Sequence, residues 1–364
     1  MNRLFFIITV CLLFALNTFA QSALSEEDQV RETLWKYING RNNGDTSLLA
    51  SAFHPTAELR YIKGDQYAIW KSEDYIKGVQ PGRKVNCISR IIFVDILGNA
   101  AVAKIELEYP NLKFADYINL LKVDGEWVIA VKTFARQRIA EKQRVLFVLT
   151  SHEKMGDTDR KTGLHLGEVT HAYKPIHDAG YEIDFVSPKG GSTYMYGANM
   201  NDSLNLWFIQ NPTAYYRFQH AMRPDEIDPS RYAAIYFVGG HGTMWDLPKH
   251  DKLNRLTADI YEDNGVVAAV CHGPSGLVNV KLSNGDYLVN GKQLTAFTDE
   301  EERAAQAENI VPFMLESKLR ERGAKFVGAD NWQKNVIVDG RLLTGQNPAS
   351  AYELGQAIVE VLEK

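Results

Sequence analysis

The stretch "GVVAAVCHGPSG", residues 265–276, decides which fold class is expected for the second half of this chain. Its apolar run has strand length and ends at Cys271, which is followed by His272 and Gly273. A run that is apolar at every position predicts a strand buried on both faces, as in a parallel sheet. Ligands bind at the carboxyl ends of such strands, so Cys271 falls where chemistry is expected.

Strands and helices alternate on both sides of this stretch. Further buried strands are predicted at "RVLFVLTS" (144–151), "YEIDFVS" (181–187), "AAIYFVGG" (233–240) and "QLTAF" (293–297). Helical spacing is found in "HAYKPIHDAG" (171–180), "KLNRLTADIYEDNG" (252–265) and "IVPFMLESKLRERGA" (310–324). This alternation predicts an α/β domain over 144–364, with a doubly wound, mostly parallel sheet and helices on both faces.

The first half of the chain shows a different order of predicted helices and strands. Residues 26–42 carry apolar side chains at helical spacing, and the strand-length runs that follow are "AELRYI", "CISRIIFVDILG", "AAVAKIELEYP", "FADYINLLKVDG" and "EWVIAVKTFA". A helix followed by an antiparallel meander predicts an α+β domain over 26–137. The polar stretch "ARQRIAEKQ" supplies the linker, which we place at 138–143.

Composition limits the possible partners. The chain has 364 residues, 45% apolar and 23% charged, which is enough for two domains with separate cores. Its formal net charge of -5 argues against a basic surface that would bind nucleic acid or an anionic membrane. Small molecules or other proteins are the expected partners.

The N-terminal segment "MNRLFFIITVCLLFALNTFAQS" is typical of a secretory signal. We predict cleavage after residue 20 and an exported protein, periplasmic or secreted, with no membrane attachment; an uncleaved anchor is the alternative. The mature chain keeps only Cys87 and Cys271, too few for a disulfide framework.

The turn after the 265–270 strand has the features of a nucleophile elbow. Such a turn pushes its middle side chain, here Cys271, into a cleft, and a following helix N-terminus would favour the reactive thiolate. The glycine pair in "YFVGGHG" ends a neighbouring strand, so the amides of Gly240 and His272 could together hold an oxyanion. A buried structural cysteine and an ordinary glycine turn are the alternatives.

The remaining histidines do not form a recognisable ligand set. His165, His171 and His177 lack paired acids or thiols at metal-binding spacing and are predicted to be polar surface residues. His241 is predicted to be a histidine that supports the site residues or an ordinary loop histidine, and not a ligand. We therefore expect no metal and no cofactor.

Three motifs carry a family resemblance. "AAVCHGPSG", "YFVGGHGTMWDLP" and "LLTGQNPASA" together resemble the class I glutamine amidotransferase-like superfamily, in its PfpI and parkinsonism-associated deglycase division. Within that division the chain is most similar to the heat-shock chaperone and glyoxalase III branch. The resemblance covers residues 144–364 and implies a flavodoxin-like sheet.

The resemblance also implies site residues. The family's nucleophile falls on Cys271, its adjacent histidine on His272, and an early carboxylate on Glu168 in "TGLHLGEVTHAY". A carboxyl enclosed near a thiol would have a raised pKa and could move protons at neutral pH. The third member of the triad, an acid, falls on Glu302 by ungapped counting, with Glu300 and Glu301 left open.

The first half resembles the nuclear-transport-factor-two-like (NTF2-like) domains, of the lumazine-binding or polyketide-cyclase-like kind. This implies a cone-shaped sheet that encloses an apolar pocket or pairs with a second copy. Tyr61, Trp70, Tyr109 and Trp127 are candidate lining residues. No convergent set of titratable groups is expected in this domain.

The resemblance implies a cofactor-independent cysteine enzyme that acts on small dicarbonyls such as methylglyoxal, or on early protein glycation adducts. Cys271 would attack the aldehyde, and the product of methylglyoxal would be lactate. The alternatives are a holdase chaperone or redox sensor with a vestigial triad, and a cysteine amidase or peptidase. Expected partners are a small aldehyde, glycated or unfolded proteins, and a second copy of the chain.

Overall fold

The computed structural model describes residues 24–139 and 144–364. The predicted signal peptide (1–20) and most of the predicted linker lie outside these residues, and the domain boundaries stay predictions. The described residues form two compact units, one built from 24–105 and 116–135, the other from 106–115, 136–139 and 144–364. In the part of the chain described, every helix is too short or too polar to cross a membrane.

The first unit opens with a helix whose ends follow local sequence rules. Ser25 caps α1 by accepting a hydrogen bond from the Asp28 amide, and Gly44 ends the helix with a φ of 66°. The helices of this part of the chain are α1 (Glu26–Asn43), α2 (Thr46–Ser51) and α3 (Ser72–Lys77). Its strands are β1 (Phe53–Lys63), β2 (Gln66–Lys71), β3 (Ile88–Leu97), β4 (Ala100–Tyr109), β5 (Leu112–Val123) and β6 (Glu126–Arg138).

The six strands form one sheet in the order β2-β1-β6-β5-β4-β3. Strands β3 to β6 are sequential neighbours, as a meander requires. The meander does not include β1, which pairs in parallel with β6 and antiparallel with β2. Sequence analysis missed β2 and α3, because Gln66–Lys71 is largely exposed and gives no apolar alternation.

The second unit contains the predicted α/β sheet, whose fold class is confirmed. Its six strands run in the order β15-β16-β12-β11-β7-β9, and all pairs are parallel except that of the edge strand β15. The main-sheet strands are β7 (Arg144–Val148), β9 (Glu182–Val186), β11 (Ala234–Phe237), β12 (Val266–Val270), β15 (Val336–Asp339) and β16 (Leu342–Gly345). Short pairs outside it are β8 (Leu164–His165) with β10 (Met195–Tyr196), and β13 (Gln293–Leu294) with β14 (Lys325–Phe326).

The helices of this part are α4 (Leu166–Asp178), α5 (Ser203–Gln210), α6 (Pro212–Gln219), α7 (Thr243–Asp246), α8 (Asp251–Glu262), α9 (Asp299–Ala304), α10 (Leu315–Glu321) and α11 (Ala351–Leu362). Alternate side chains of each strand enter two apolar cores. Leu146 and Val148 belong to the core that contains α8 and α10, whereas Val145 and Phe147 belong to the core with α4 and α11. Burial of each such apolar side chain contributes about 1.5–3 kcal/mol to the stability of the fold.

Two predicted elements differ from the structure. "QLTAF" does not join the main sheet: only Gln293–Leu294 is a strand, in the small pair with β14. The helix expected over 310–324 is restricted to Leu315–Glu321, because Pro312 interrupts the preceding residues. The core strands that position Cys271 are as predicted.

Candidate active site

The end of β12 has the geometry of a nucleophile elbow. Cys271 follows the last fully buried strand residue and adopts a φ of 57°, a left-handed conformation that is costly for a residue with a side chain. Its amide donates to the Gly345 carbonyl at 2.9 Å, and its carbonyl accepts from the Phe297 amide at 2.9 Å. Bonds on both sides therefore hold the strained residue in place.

The element after the elbow differs from expectation. A 3-10 helix of five residues, Gly273–Leu277, replaces the predicted helix start, so little helix dipole is available to favour a thiolate. Burial instead raises the pKa of the Cys271 thiol well above its usual value, and the neighbouring Glu168 raises it further. The expectation of a thiol acidified by a helix end is wrong for this site.

Glu168 lies in the first turn of α4, fully buried beside the thiol. Burial raises the pKa of its carboxyl to about 8, although the Cys271 thiol and the Gly239 amide partly oppose this rise. Neither of its carboxyl oxygens has a hydrogen bond of standard geometry. The carboxyl is therefore protonated at neutral pH and can exchange that proton with the thiol beside it.

Gly239 provides the space in which Glu168 and Cys271 meet. A Cβ atom at this position would lie 2.3 Å from the Glu168 Oε2 atom and 2.8 Å from the Cys271 Cβ atom. Any side chain here would therefore separate the acid from the thiol. The requirement for the first glycine of "YFVGGHG" comes from this close approach and not from the turn alone.

The two backbone segments predicted to hold an oxyanion are tied together by a threonine. The buried Thr243 Oγ atom lies 2.9 Å from the carbonyl oxygens of both Gly240 and His272, so its single proton can serve either one. Gly240 has a φ of 107°, which favours glycine. The His272 amide faces the Cys271 thiol and lowers its pKa, against the larger effect of burial.

His272 connects the thiol to an acid. Its Nδ1 atom lies 3.3 Å from the Cys271 sulfur, and its Nε2 atom lies 2.8 Å from Glu302 Oε2. Burial and the nearby His241 lower the pKa of His272 to about 4, although Glu302 opposes this. Burial would raise the pKa of Glu302, but the two imidazoles outweigh it and bring the pKa to about 2. A neutral imidazole therefore faces the thiol, and an ionised carboxylate faces the imidazole.

The three acidic candidates at the start of α9 have different surroundings. Glu302 contacts His272, whereas Glu300 is exposed. Glu301 is fully buried and accepts hydrogen bonds from the amides of Thr298 and Trp332 and from the Asn347 side chain. Glu301 thus anchors the helix, and the helical turn then directs the next residue toward the imidazole. The "TGQNP" stretch supplies the asparagine of this anchor.

His241 lies beside the site acid, which agrees with the supporting role that was one of the two predicted for it. Its Nε2 atom lies 2.9 Å from the other Glu302 oxygen, and its ring lies 4.0 Å from the His272 ring. The donor atoms of His241, His272 and Glu302 fall within 4.8 Å of one another, a set that could hold a metal ion by geometry. The glycine pair before His241 is the feature of the sequence that indicates its position, because the pair follows β11 and so brings the following residue to the carboxyl ends of the strands, where Cys271 also lies.

His165 was wrongly predicted to be a surface residue. Its Nδ1 atom lies 4.0 Å from Glu168 Oε1, its ring packs edge-on against Tyr196, and burial lowers its pKa to about 4. The Tyr196 hydroxyl accepts a hydrogen bond from the His241 amide at 3.2 Å. His165 and Tyr196 therefore border the thiol and its acid, while His171 pairs with Asp202 elsewhere on the unit.

Comparison with family models identifies the family of the chain. Residues 161–361, more than half of the chain, match the model of the DJ-1/PfpI family. The chain belongs to the DJ-1/PfpI family. Residues 25–135 match a second family, described as "Putative lumazine-binding".

The similar proteins include named glyoxalases. "Glutathione-independent glyoxalase HSP31" of Saccharomyces cerevisiae is 32% identical over 239 residues, 61% of this chain and 98% of the relative. The crystal structure of glyoxalase III from Candida albicans is 26% identical with a TM-score of 0.55, covering 61% of this chain and 98% of that chain. Rapid Encystment Protein 24 KDa of Francisella tularensis is 39% identical with a TM-score of 0.58, covering 60% and 98%.

The raised pKa of Glu168 has a consequence for stability. Between the ordinary carboxyl pKa and about 8, the folded chain holds a proton that the unfolded chain has released, so Glu168 destabilises the fold increasingly as pH rises through this window. Glu168→Gln cannot ionise. The difference in melting temperature, variant minus wild type, should grow between pH 5 and pH 9, by about 2–4 °C for each kcal/mol of cost removed. A constant difference across this range would contradict the raised pKa.

His241 should influence the proton affinity of His272. Because His241 lowers the pKa of His272, His241→Gln should raise it from about 4 toward the ordinary value. The imidazole NMR signals of the full chain, followed between pH 3.5 and 8, measure this shift. His177→Gln, at an exposed histidine of the same unit, is the control. An unchanged His272 titration would mean that the two imidazoles are not coupled.

Proposed function

We propose that this protein is a glutathione-independent glyoxalase that converts methylglyoxal or a similar small dicarbonyl into the 2-hydroxy acid. The observation that carries the proposal is the buried Glu168 carboxyl beside the Cys271 thiol, with His272 Nδ1 3.3 Å from the sulfur. Relatives that bear this name support it. The scheme requires no cofactor.

The first step is addition of the thiol to the aldehyde. His272 Nδ1 accepts the thiol proton while Glu302 stabilises the imidazolium, and the Cys271 sulfur bonds to the aldehyde carbon. The amides of Gly240 and His272 hold the resulting oxyanion. Return of the proton to this oxygen gives a neutral hemithioacetal.

The second step moves a proton between adjacent carbons. Ionised Glu168 removes the proton from the carbon bonded to sulfur, and the negative charge moves to the carbonyl oxygen of the neighbouring carbon, which gives an enediolate. The Glu168 carboxyl then returns this proton to the neighbouring carbon, and the hydroxyl proton on the first carbon passes to the oxygen of the second, so the product is a thioester of the 2-hydroxy acid. Water, deprotonated by His272, cleaves the thioester and releases the acid and the thiol.

The same constellation could serve other substrates. A cysteine amidase or peptidase would use the thiol, the imidazole and the oxyanion hole, but it moves no proton between substrate carbons and so has no role for the Glu168 carboxyl beside the nucleophile. Release of early glycation adducts from proteins would use all of them, and we keep glycated proteins as a second substrate class. A panel of methylglyoxal, a glycated peptide and simple amides separates these activities.

Other parts of the prediction extend the proposal. We propose export of the mature chain, on the basis of the signal-like residues 1–20. Homodimer formation and a holdase activity toward unfolded proteins also stay proposals. Sedimentation of the purified chain and suppression of thermal aggregation of a client protein test them separately from turnover.

Replacing Glu168 should stop the second step and leave the first intact. Glu168→Gln keeps the shape but lacks the base, so lactate formation from methylglyoxal without glutathione should fall by about 100-fold or more. Cys271→Ser should abolish turnover. A rate for Glu168→Gln within a few-fold of wild type would exclude the proton transfer assigned to it.

The rate should depend on pH through the same groups. Because ionised Glu168 is the base, kcat/KM of the wild type should rise with pH through about 8. Glu302 raises the pKa of His272, so Glu302→Gln should lower that pKa, slow turnover less than Glu168→Gln does and change the acid limb of the pH–rate profile. Glu300→Gln, at the exposed neighbour, is the matched control. A larger loss at Glu300 than at Glu302 would refute the assignment.

A further inference from the structure

Two imidazoles meet at one carboxylate beside the thiol. His241 follows β11, His272 follows β12, and Glu302 lies in α9. His241 Nε2 lies 2.9 Å from Glu302 Oε1, and His272 Nε2 lies 2.8 Å from Glu302 Oε2. Three segments of the chain therefore bring two ring nitrogens and both oxygens of a carboxylate together, within 4.8 Å of one another.

The hydrogen bonds of this cluster determine which nitrogen of His272 carries a proton. An ionised carboxylate only accepts hydrogen bonds, so each Nε2 atom must donate its proton to Glu302. A neutral His272 then has no proton on Nδ1, the atom that lies 3.3 Å from the Cys271 sulfur. This assignment follows from the partners of both nitrogens, and it makes Nδ1 the acceptor that the thiol requires.

A divalent metal ion could take the place of the two Nε2 protons. Zn²⁺ binds imidazole nitrogen and carboxylate oxygen at about 2.0–2.2 Å, and two histidines with one glutamate are a known ligand set for it. Tetrahedral ligands at these bond lengths lie about 3.3 Å apart, so each hydrogen-bonded nitrogen and oxygen would separate by only about 0.5 Å. A water molecule would complete the four ligands.

The packing around the cluster holds these ligands in place and leaves one side accessible. The side chains of His272 and Glu302 are 1% exposed, whereas that of His241 is 16% exposed, so an ion can enter beside His241. The Phe297 ring packs against both imidazoles, with ring centres 4.3 Å from His272 and 5.9 Å from His241. Ligands that are already oriented lose little freedom when they bind an ion.

We propose that His241, His272 and Glu302 form an inhibitory binding site for Zn²⁺ or a related divalent transition-metal ion. When the ion occupies both Nε2 atoms, each imidazole keeps its one proton, which moves from Nε2 to Nδ1. The Nδ1 atom of His272 then directs a proton at the Cys271 sulfur and cannot accept the thiol proton. Inhibition rests on the proposed glyoxalase activity, whereas metal binding does not.

Binding is tested in the full chain with Cys271→Ser, which has no thiol at the site. The chain is dialysed against EDTA, transferred to metal-free buffer and titrated with Co²⁺, which reports its geometry through visible absorption. A single ion should bind with the intense absorption of tetrahedral cobalt and without a sulfur-to-cobalt charge-transfer band. Zn²⁺ should displace the cobalt with a Kd below about 10 μM.

Two substitutions in the Cys271→Ser chain locate the ion. His241→Gln and Glu302→Gln each remove one ligand, so each should weaken Co²⁺ binding at least about tenfold. His171→Gln is the matched control, because it removes a histidine paired with a carboxylate, Asp202, elsewhere on the same unit. This control should bind like the parent, and melting curves identify any variant that has lost its fold.

Inhibition is measured in chains that keep Cys271. Zn²⁺ should suppress lactate formation by the wild type over the concentrations at which it binds, and EDTA should restore the rate. For His241→Gln, the Zn²⁺ concentration that halves the variant's own metal-free rate should be at least about tenfold higher. Both chains carry the same thiol, so zinc that acts on Cys271 alone would inhibit them equally.

Three results would overturn this proposal. If Co²⁺ does not bind the Cys271→Ser chain, the cluster is not a metal site. If binding is unchanged in both folded ligand variants, the ion lies elsewhere. If zinc inhibits the wild type and His241→Gln equally, the inhibitory role is wrong. A wild-type chain that binds the ion at the cluster but forms no lactate would contradict the glyoxalase proposal and support the metal site.

Discussion

The site depends on one close approach, that of a buried carboxyl to a buried thiol. Glu168 and Cys271 come from different elements, and only the absence of a side chain at Gly239 lets them meet. In this water-poor space neither group ionises easily, so the pKa of Glu168 rises to about 8 and that of Cys271 rises as well. A carboxyl pKa near the working pH suits acid-base catalysis on a carbon acid, because the group can both remove a proton and return it.

The remainder of the second unit fixes this pair and its histidine. Fully apolar parallel strands place Cys271 at the carboxyl end of the central strand β12. Hydrogen bonds from its amide and to its carbonyl hold the strained backbone there. The anchored Glu301 orients the turn that carries Glu302, and Glu302 in turn receives hydrogen bonds from two imidazoles. An ionised acid thus keeps His272 directed at the sulfur.

The sequence was sufficient to predict the structural features that depend on residues close together in the chain. The run ending at Cys271 predicted both the sheet and the elbow, and the family resemblance indicated Glu168. The sequence could not reveal His165 as a site residue or show which acid His241 contacts, because both positions follow from the packing of loops far apart in the chain. The buried Lys132 was missed for a related reason: a lysine in a strand pattern indicates an exposed face, and only tertiary structure shows its partners.

A crystal structure of the Glu168→Gln variant soaked with methylglyoxal tests the central claim most directly. The claim is that Cys271 bonds to the substrate before Glu168 moves a proton. The account predicts continuous density from the Cys271 sulfur to the aldehyde carbon, with the new oxygen within hydrogen-bonding distance of the Gly240 and His272 amides. Substrate bound without a covalent bond, or an adduct on another side chain beside an unmodified Cys271, would contradict it.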